Sequence, residues 1–354
     1  MTLLRSHLAA LKPYVPTPTQ PGFRLHLNEA PEDLPAEVKA AALDRVGRLN
    51  WSHYPEEAQL LAAELAALDG WKPEGVVVGN GSNEMLQVLV YASLGPGDPV
   101  LLAAPSFSVY ATQIKVANAA LAEIPLRSGA GQPFAFDLEL LARAARETKA
   151  RVTILGSPNN PTGTLLSESQ VRWLHDQVPG VLVLDEAYRH FAGQDFAPLL
   201  KSCDRLVLMR TFSKSFAAAA LRLGYILTSP EIATELNKVV MPYNLSIFSV
   251  SLARELLRRP DLVEARGRFI VGERSRVAAA LARNPRLRVE ASHANFNVIE
   301  HTTQLASDVA ATLAQRGVLV RDLSGYAGCE RCLRVSVGTV EANDAFLHAI
   351  GEVA

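Results

Sequence analysis

From about residue 76 onward the chain alternates very short, wholly apolar runs with stretches of helical spacing, and this constrains its fold more than any other feature. Val76 to Val78, Val100 to Ala103, Val152 to Leu155, Val181 to Leu184, Leu206 to Met209 and Tyr225 to Leu227 are the runs. Most of them end at a polar, Gly- or Asp-bearing turn. Ser82 to Tyr91 and Ser106 to Val116 read as helices between them, and Leu60, Leu61, Leu65 and Leu68 place another within Glu56 to Asp69. A run that is apolar at every position is a strand buried on both faces. The expected fold class is therefore α/β, a mostly parallel central sheet flanked by helices, with a smaller α+β domain. In such sheets ligands bind beyond the carboxyl ends of the strands, so the residues just after each run carry the functional information.

Beyond Ser246 the pattern changes to long helical stretches and then to strand candidates at Asn297 to Ile299, Val318 to Val320 and Leu333 to Val337. Helices Gln304 to Gln315 and Ala342 to Val353 flank these strands. Before the alternation, Pro13, Pro16, Pro18 and Pro21 exclude a helix or an interior strand. The expected division is an extended arm over 1–28, a stretch 29–55 that contributes to the small domain, a large domain over 56–245 and a small C-terminal domain over 246–354.

Composition removes several functions. The 354 residues carry 35 Lys and Arg against 36 Asp and Glu without a long run of one sign, so nucleic acid and acidic membranes are not expected partners. Met1 to Leu11 lacks the apolar block and cleavage site of a secretory signal, and no apolar run is long enough to span a bilayer. Three cysteines are too few for a disulfide framework, and a cytoplasmic setting is expected. Cys329 and Cys332 form a C-x-x-C, but the two further ligands of a zinc site are missing. They read as ordinary thiols beside a strand, with a redox dithiol as the alternative and no metal expected.

The strand ends are chemically loaded. Gly79-Asn80-Gly81-Ser82-Asn83 opens a helix, where free backbone N–H groups and the helix dipole favour an anion, and Ser82 adds a hydroxyl. Gly156-Ser157-Pro158-Asn159-Asn160-Pro161-Thr162-Gly163 is a proline-fixed loop that directs its asparagines. Asp185, ending an apolar strand before Glu186-Ala187-Tyr188, needs a cationic partner, and a protonated pyridine nitrogen would serve. Lys214, in Thr211-Phe212-Ser213-Lys214, can lose its proton and attack carbonyls. Ser213 and Arg222 offer donors to a phosphate. Each motif alone has a plain structural reading as a cap or a turn; their joint order does not.

Taken together, this series resembles the fold-type I, pyridoxal-phosphate-dependent aminotransferases, and within them the histidinol-phosphate aminotransferase branch. The likeness also covers Leu11 to Pro16, Leu25 to Pro31, Tyr54-Pro55, Pro105 to Tyr110, Val320-Arg321-Asp322 and Leu333 to Thr339. It implies that Lys214 carries pyridoxal 5′-phosphate through a Schiff base and shuttles the substrate's proton, with Asp185 paired to the ring nitrogen. It implies Asn160 and Tyr188 at the ring's phenolic oxygen and Tyr110 on the ring face. Ser82, Asn83, Thr211, Ser213 and Arg222 would lie at the phosphate, with Tyr54 reaching it from the partner subunit of a homodimer. Arg334 would grip the substrate's anionic group, with Arg321 as a second phosphate ligand and with Asn160 and Tyr14 also at the substrate. The implied reaction moves an amino group between L-histidinol phosphate and 2-oxoglutarate in histidine biosynthesis.

The chain departs from that pattern at Ala30 and Glu32, at Ala217 to Ala220 after Phe216, and at Tyr326-Ala327-Gly328. None of these removes a catalytic group. The alternatives on the same scaffold are an aromatic or broad-range aminotransferase and a threonine-phosphate decarboxylase. A catalytically silent, cofactor-binding regulatory domain is the non-enzymatic one.

Overall fold

The computed structural model describes residues 5–13, 21–129 and 132–353. Its main sheet has seven strands in the spatial order Val76–Gly79, Gly224–Leu227, Leu206–Thr211, Val181–Asp185, Val152–Gly156, Pro99–Ala104 and Ala120–Pro125. Only Gly224–Leu227 runs against its neighbours; every other ladder in this sheet is parallel. The uniformly apolar runs are explained by burial on both faces. Val76, Leu101, Leu182, Leu184, Leu206 and Leu208 point into one apolar layer. Val77, Val100, Leu102, Val183, Val207 and Met209 point into the other.

Ala120–Pro125 was not among the expected strands, its apolar residues being interrupted by Glu123. It is an edge strand with mostly exposed or half-exposed residues, so nothing requires it to be apolar at every position. At the opposite edge, Gly79 and Thr211 both pair with Gly224, which sets three strand ends in one row. A Cβ on Gly224 would collide with the backbone of Gly81 and Ser82, so glycine is what lets the following turn close over the row.

The second sheet is antiparallel, in the order Leu287–Glu290, Phe296–His301, Cys332–Ser336 and Arg321–Asp322. Helices Ala306–Gln315 and Val340–Val353 and the end of Pro260–Leu281 close its own apolar core. The described part of the arm lies on the body. Phe23–Arg24 pairs in parallel with Val318–Leu319, and His7 Nε2 meets the Val116 carbonyl at 3.1 Å. In the stretch 29–55, Leu34 and Val38 pack into the large-sheet core together with Val250, Ala253 and Leu256 of the Ile247–Leu257 helix. No helix among the described residues is long and apolar enough to cross a membrane.

Beneath the strand ends lies a buried ionic cluster. Arg210, 2% exposed, meets Glu186 at 2.7 Å, Asp69 at 2.5 Å and Asp195 at 2.5 Å. Arg189 bridges the same Asp69 and Asp195, and the Tyr225 hydroxyl donates to Asp69 at 2.7 Å. Removing one partner of such a cluster leaves buried charge uncompensated. Arg210→Met is therefore expected to lower unfolding free energy by about 3–5 kcal/mol, read from urea denaturation.

Candidate functional site

A cavity of about 380 Å³ opens at the carboxyl edge of the large sheet, facing the small one. It is lined by Ser82, Asn83, Tyr110, Asn160, Asp185, Tyr188, Thr211, Ser213, Lys214, Arg222, Arg321 and Arg334, all of them residues that the sequence singled out. Tyr54 is not in the lining; it is 75% exposed and stacks on Tyr243 with ring centroids 4.6 Å apart. Tyr14 lies outside the described residues.

One end of the cavity is built from donors. Gly81 takes φ +82°, and a Cβ there would press on the Arg222 guanidinium, so the turn and the arginine share a space that only glycine leaves open. Arg222 Nη1 donates to the Ala219 carbonyl at 2.9 Å and reaches Ser213 Oγ at 3.4 Å. Ser213 is held in turn by Thr211, whose hydroxyl donates to Ser213 Oγ at 3.0 Å and accepts from its backbone N–H at 3.1 Å. With the start of the Ser82–Ser93 helix, these groups form a cradle for an anion.

At the floor, Asp185 is buried and accepts from the Tyr110 hydroxyl at 2.6 Å and the Ala187 N–H at 2.9 Å. Burial raises its pKa, and those two hydrogen bonds oppose the rise. Among the described residues it forms no ion pair, so a cationic group entering the cavity finds a carboxylate waiting. Lys214 Nζ donates to the Leu27 and Asn28 carbonyls at 3.1 and 2.9 Å and lies 6.0 Å from the centre of the Tyr188 ring. Burial, reinforced by Arg334 and Arg222 and opposed by Glu29 and Asp185, brings its pKa down to about 8.

Adjacent asparagines divide the proline-fixed loop between structure and site. Asn159 is wholly buried and ties the loop to the Pro105 carbonyl and the Thr162 hydroxyl. Asn160 lines the cavity and accepts a hydrogen bond from Arg334 Nη1. Arg334 also donates to the His26 carbonyl at 2.8 Å and stacks over Phe296 at 5.4 Å. Arg321 faces Arg334 in register on the neighbouring strand, so both guanidinium groups belong to one wall.

Asn28, which the sequence did not mark as a site residue, is buried at φ +54° and donates to the Tyr188 hydroxyl at 2.9 Å. Its side-chain carbonyl accepts from Ser336, and its backbone carbonyl accepts from both Lys214 and Asn295. The signal available was an asparagine closing a proline-rich arm, since Asn tolerates the left-handed region. His26, Glu29, Phe107 and Tyr326 also line the cavity without having been assigned to it. Ala217, one of the alanines at which the chain departs from the pattern it resembles, takes φ +53° and so carries a strain that glycine would not.

The chain matches the aminotransferase class I and II family over residues 21–350. It is 34% identical to a histidinol-phosphate aminotransferase of Caldanaerobacter subterraneus subsp. tengcongensis over 352 residues, covering 99% of this chain and 98% of that one. It is 37% identical to one of Thermococcus gammatolerans over 334 residues, covering 94% and 92%. Among solved structures, the histidinol-phosphate aminotransferase of Sinorhizobium meliloti in complex with pyridoxal-5′-phosphate superposes with a TM-score of 0.88. It covers 100% of this chain and 99% of that one at 23% identity, a likeness of fold.

The depressed Lys214 value has a direct readout. Acylation of Lys214 in the ligand-free protein, followed by peptide mapping, is expected to rise with a midpoint near pH 8. Ordinary exposed lysines rise only at about 10.4. Because the folded value is the lower one, the unfolded chain binds more protons between these pH values. This group's contribution therefore makes stability increase with pH across that window.

Proposed function

The chain belongs to the class I and II aminotransferase family, and on that premise we propose that it transfers the amino group between L-histidinol phosphate and 2-oxoglutarate, with pyridoxal 5′-phosphate as cofactor. The products are imidazole-acetol phosphate and glutamate, a step of histidine biosynthesis. The observation that carries the substrate reading is the pair of facing arginines, Arg321 and Arg334, on the cavity wall.

The residues fit the cofactor. Asp185 is a buried carboxylate without an ion pair among the described residues, suited to a protonated ring nitrogen. The Gly81–Ser82 turn, Ser213 and Arg222 are suited to a phosphate. When bound, pyridoxal phosphate supplies the electron sink that lets the bond at the substrate's α-carbon break. The chain supplies the rest. Lys214, neutral above about pH 8, serves as nucleophile and then carries the proton removed from the α-carbon. Asn160 and Tyr188 are assigned to the ring's phenolic oxygen, and Tyr110 to its face. Asn83 and Thr211 support the phosphate donors.

Arg334 presents a planar fork that serves glutamate's carboxylate in one half-reaction and the phosphate of histidinol phosphate in the other. Arg321 adds charge only where the ligand is a phosphate. Tyr14, on the arm, and Asn160 are assigned to the substrate as well. The active unit is a homodimer in which Tyr54 crosses to the partner's phosphate site. The exposed aromatic surface of Trp51, Tyr54, Tyr243 and Phe248 supports that assembly. A cytoplasmic location is in keeping with three buried free thiols.

Lys214→Ala should fold and retain no transamination, and borohydride reduction of the wild-type holoenzyme followed by peptide mapping should label Lys214. A label on another lysine refutes the assignment. Arg321→Ala is expected to lower kcat/KM for histidinol phosphate roughly 10- to 100-fold, as for a lost charge-assisted contact, with a much smaller effect on phenylalanine. Arg334→Ala is expected to impair both half-reactions. Wild-type enzyme that turned over phenylalanine faster than histidinol phosphate, with Arg321→Ala without effect, would overturn the substrate reading but not the family.

A further inference from the structure

His26 is 5% exposed, yet its Nδ1 has no hydrogen-bond partner among the described residues. The residue lines the cavity with Arg321 and Arg334, while its chain neighbour Leu25 packs into the small-domain core. Its own carbonyl accepts from Arg334 Nη2 at 2.8 Å, which fixes it beside that guanidinium. A buried ring nitrogen left unpaired is destabilising, and an apolar side chain of similar shape would fill the space without that cost. Packing alone does not account for a histidine here.

We propose that His26 is a specificity-determining residue that hydrogen-bonds the phosphate of the amino substrate and so selects a phosphate monoester at the arginine-lined end of the cavity. This rests on the reading of histidinol phosphate as substrate. A carboxylate is satisfied by the fork of Arg334, whereas a phosphate brings three acceptor oxygens and more charge than one arginine neutralises.

The charged groups around the ring are Arg24 and Glu29 on its own segment and Arg321 and Arg334 on the two facing strands. Burial first, then Arg24, with further contributions from Arg321 and Arg334, lowers the imidazole's pKa, and Glu29 opposes them. In the free enzyme the ring is neutral at pH 7. A dianion seated between the arginines offsets their field and favours the charged ring, so the imidazole takes up a proton as the ligand binds. Affinity for the phosphate then falls as pH rises through the bound-state value.

The experiment follows the histidine ring carbons of the holoenzyme by NMR, the His26 signal being identified by its loss in His26→Gln. The expected midpoint lies below 6.5 in the free enzyme and moves up by about one unit with inorganic phosphate. In parallel, the preference for histidinol phosphate over unphosphorylated histidinol is measured. His26→Leu should lose about tenfold of that preference and His26→Gln, which keeps a donor, should recover part of it. A midpoint unmoved by phosphate, or a His26→Leu variant with wild-type preference, overturns the proposal. If the wild-type enzyme itself shows no preference for histidinol phosphate, the substrate reading fails, and the NMR titration with phosphate still decides whether His26 meets the anion.

Discussion

The site depends on one buried cation. Arg210 lies in the strand that leads to Lys214, and its carboxylate partners come from Asp69 at a helix end, from Glu186 next to Asp185, and from Asp195. Glu186 is the first residue beyond Val181–Asp185, and Arg210 lies in the adjacent strand Leu206–Thr211, just before the turn that carries Lys214. Their contact therefore sets the separation between the Asp185 carboxylate and the Lys214 loop. An apolar pair of the same volume could stabilise the fold equally well, but it would not fix the two strand ends to a direction as a guanidinium with several bonded partners does.

Above that anchor the cavity has an uneven charge pattern. Arg222 stands at one end, Arg321 and Arg334 at the other, and a buried carboxylate lies on the floor. Lys214 lies within reach of all these fields, and its pKa records their balance: burial and two arginines lower it, while Glu29 and Asp185 raise it. The same balance suits a ligand that is anionic at both ends and cationic at its ring nitrogen. The field comes from residues of the cavity wall and floor themselves.

Much of this was legible in the sequence because burial on both faces of a parallel sheet leaves an unmistakable trace. Each of the six apolar runs named between Val76 and Leu227 lies within a strand, and residues just beyond five of them line the cavity. Ala120–Pro125 escaped because an edge strand is under no such demand. Phe23–Arg24 escaped because two residues carry no periodicity and their partner, Val318–Leu319, is remote in sequence. Asn28 and His26 were invisible as site residues for a related reason. Their roles come from being carried across to Tyr188, Ser336 and Arg334, and nothing local to the arm encodes those contacts.

The row formed by Gly79, Gly224 and Thr211 bears on the order in which the molecule assembles. The donor-rich turn at Gly81–Ser82 follows a strand early in the chain, and the strand inserted beside it is the last of its sheet to be synthesised. Until Gly224–Leu227 enters, Val76–Gly79 has no neighbour in this sheet. A nascent chain that stops short of this strand holds most of the cavity-lining side chains but lacks the row against which the Gly81–Ser82 turn packs. Closing that turn therefore waits on completion of the whole large sheet, because pairing over so long a span comes late in folding.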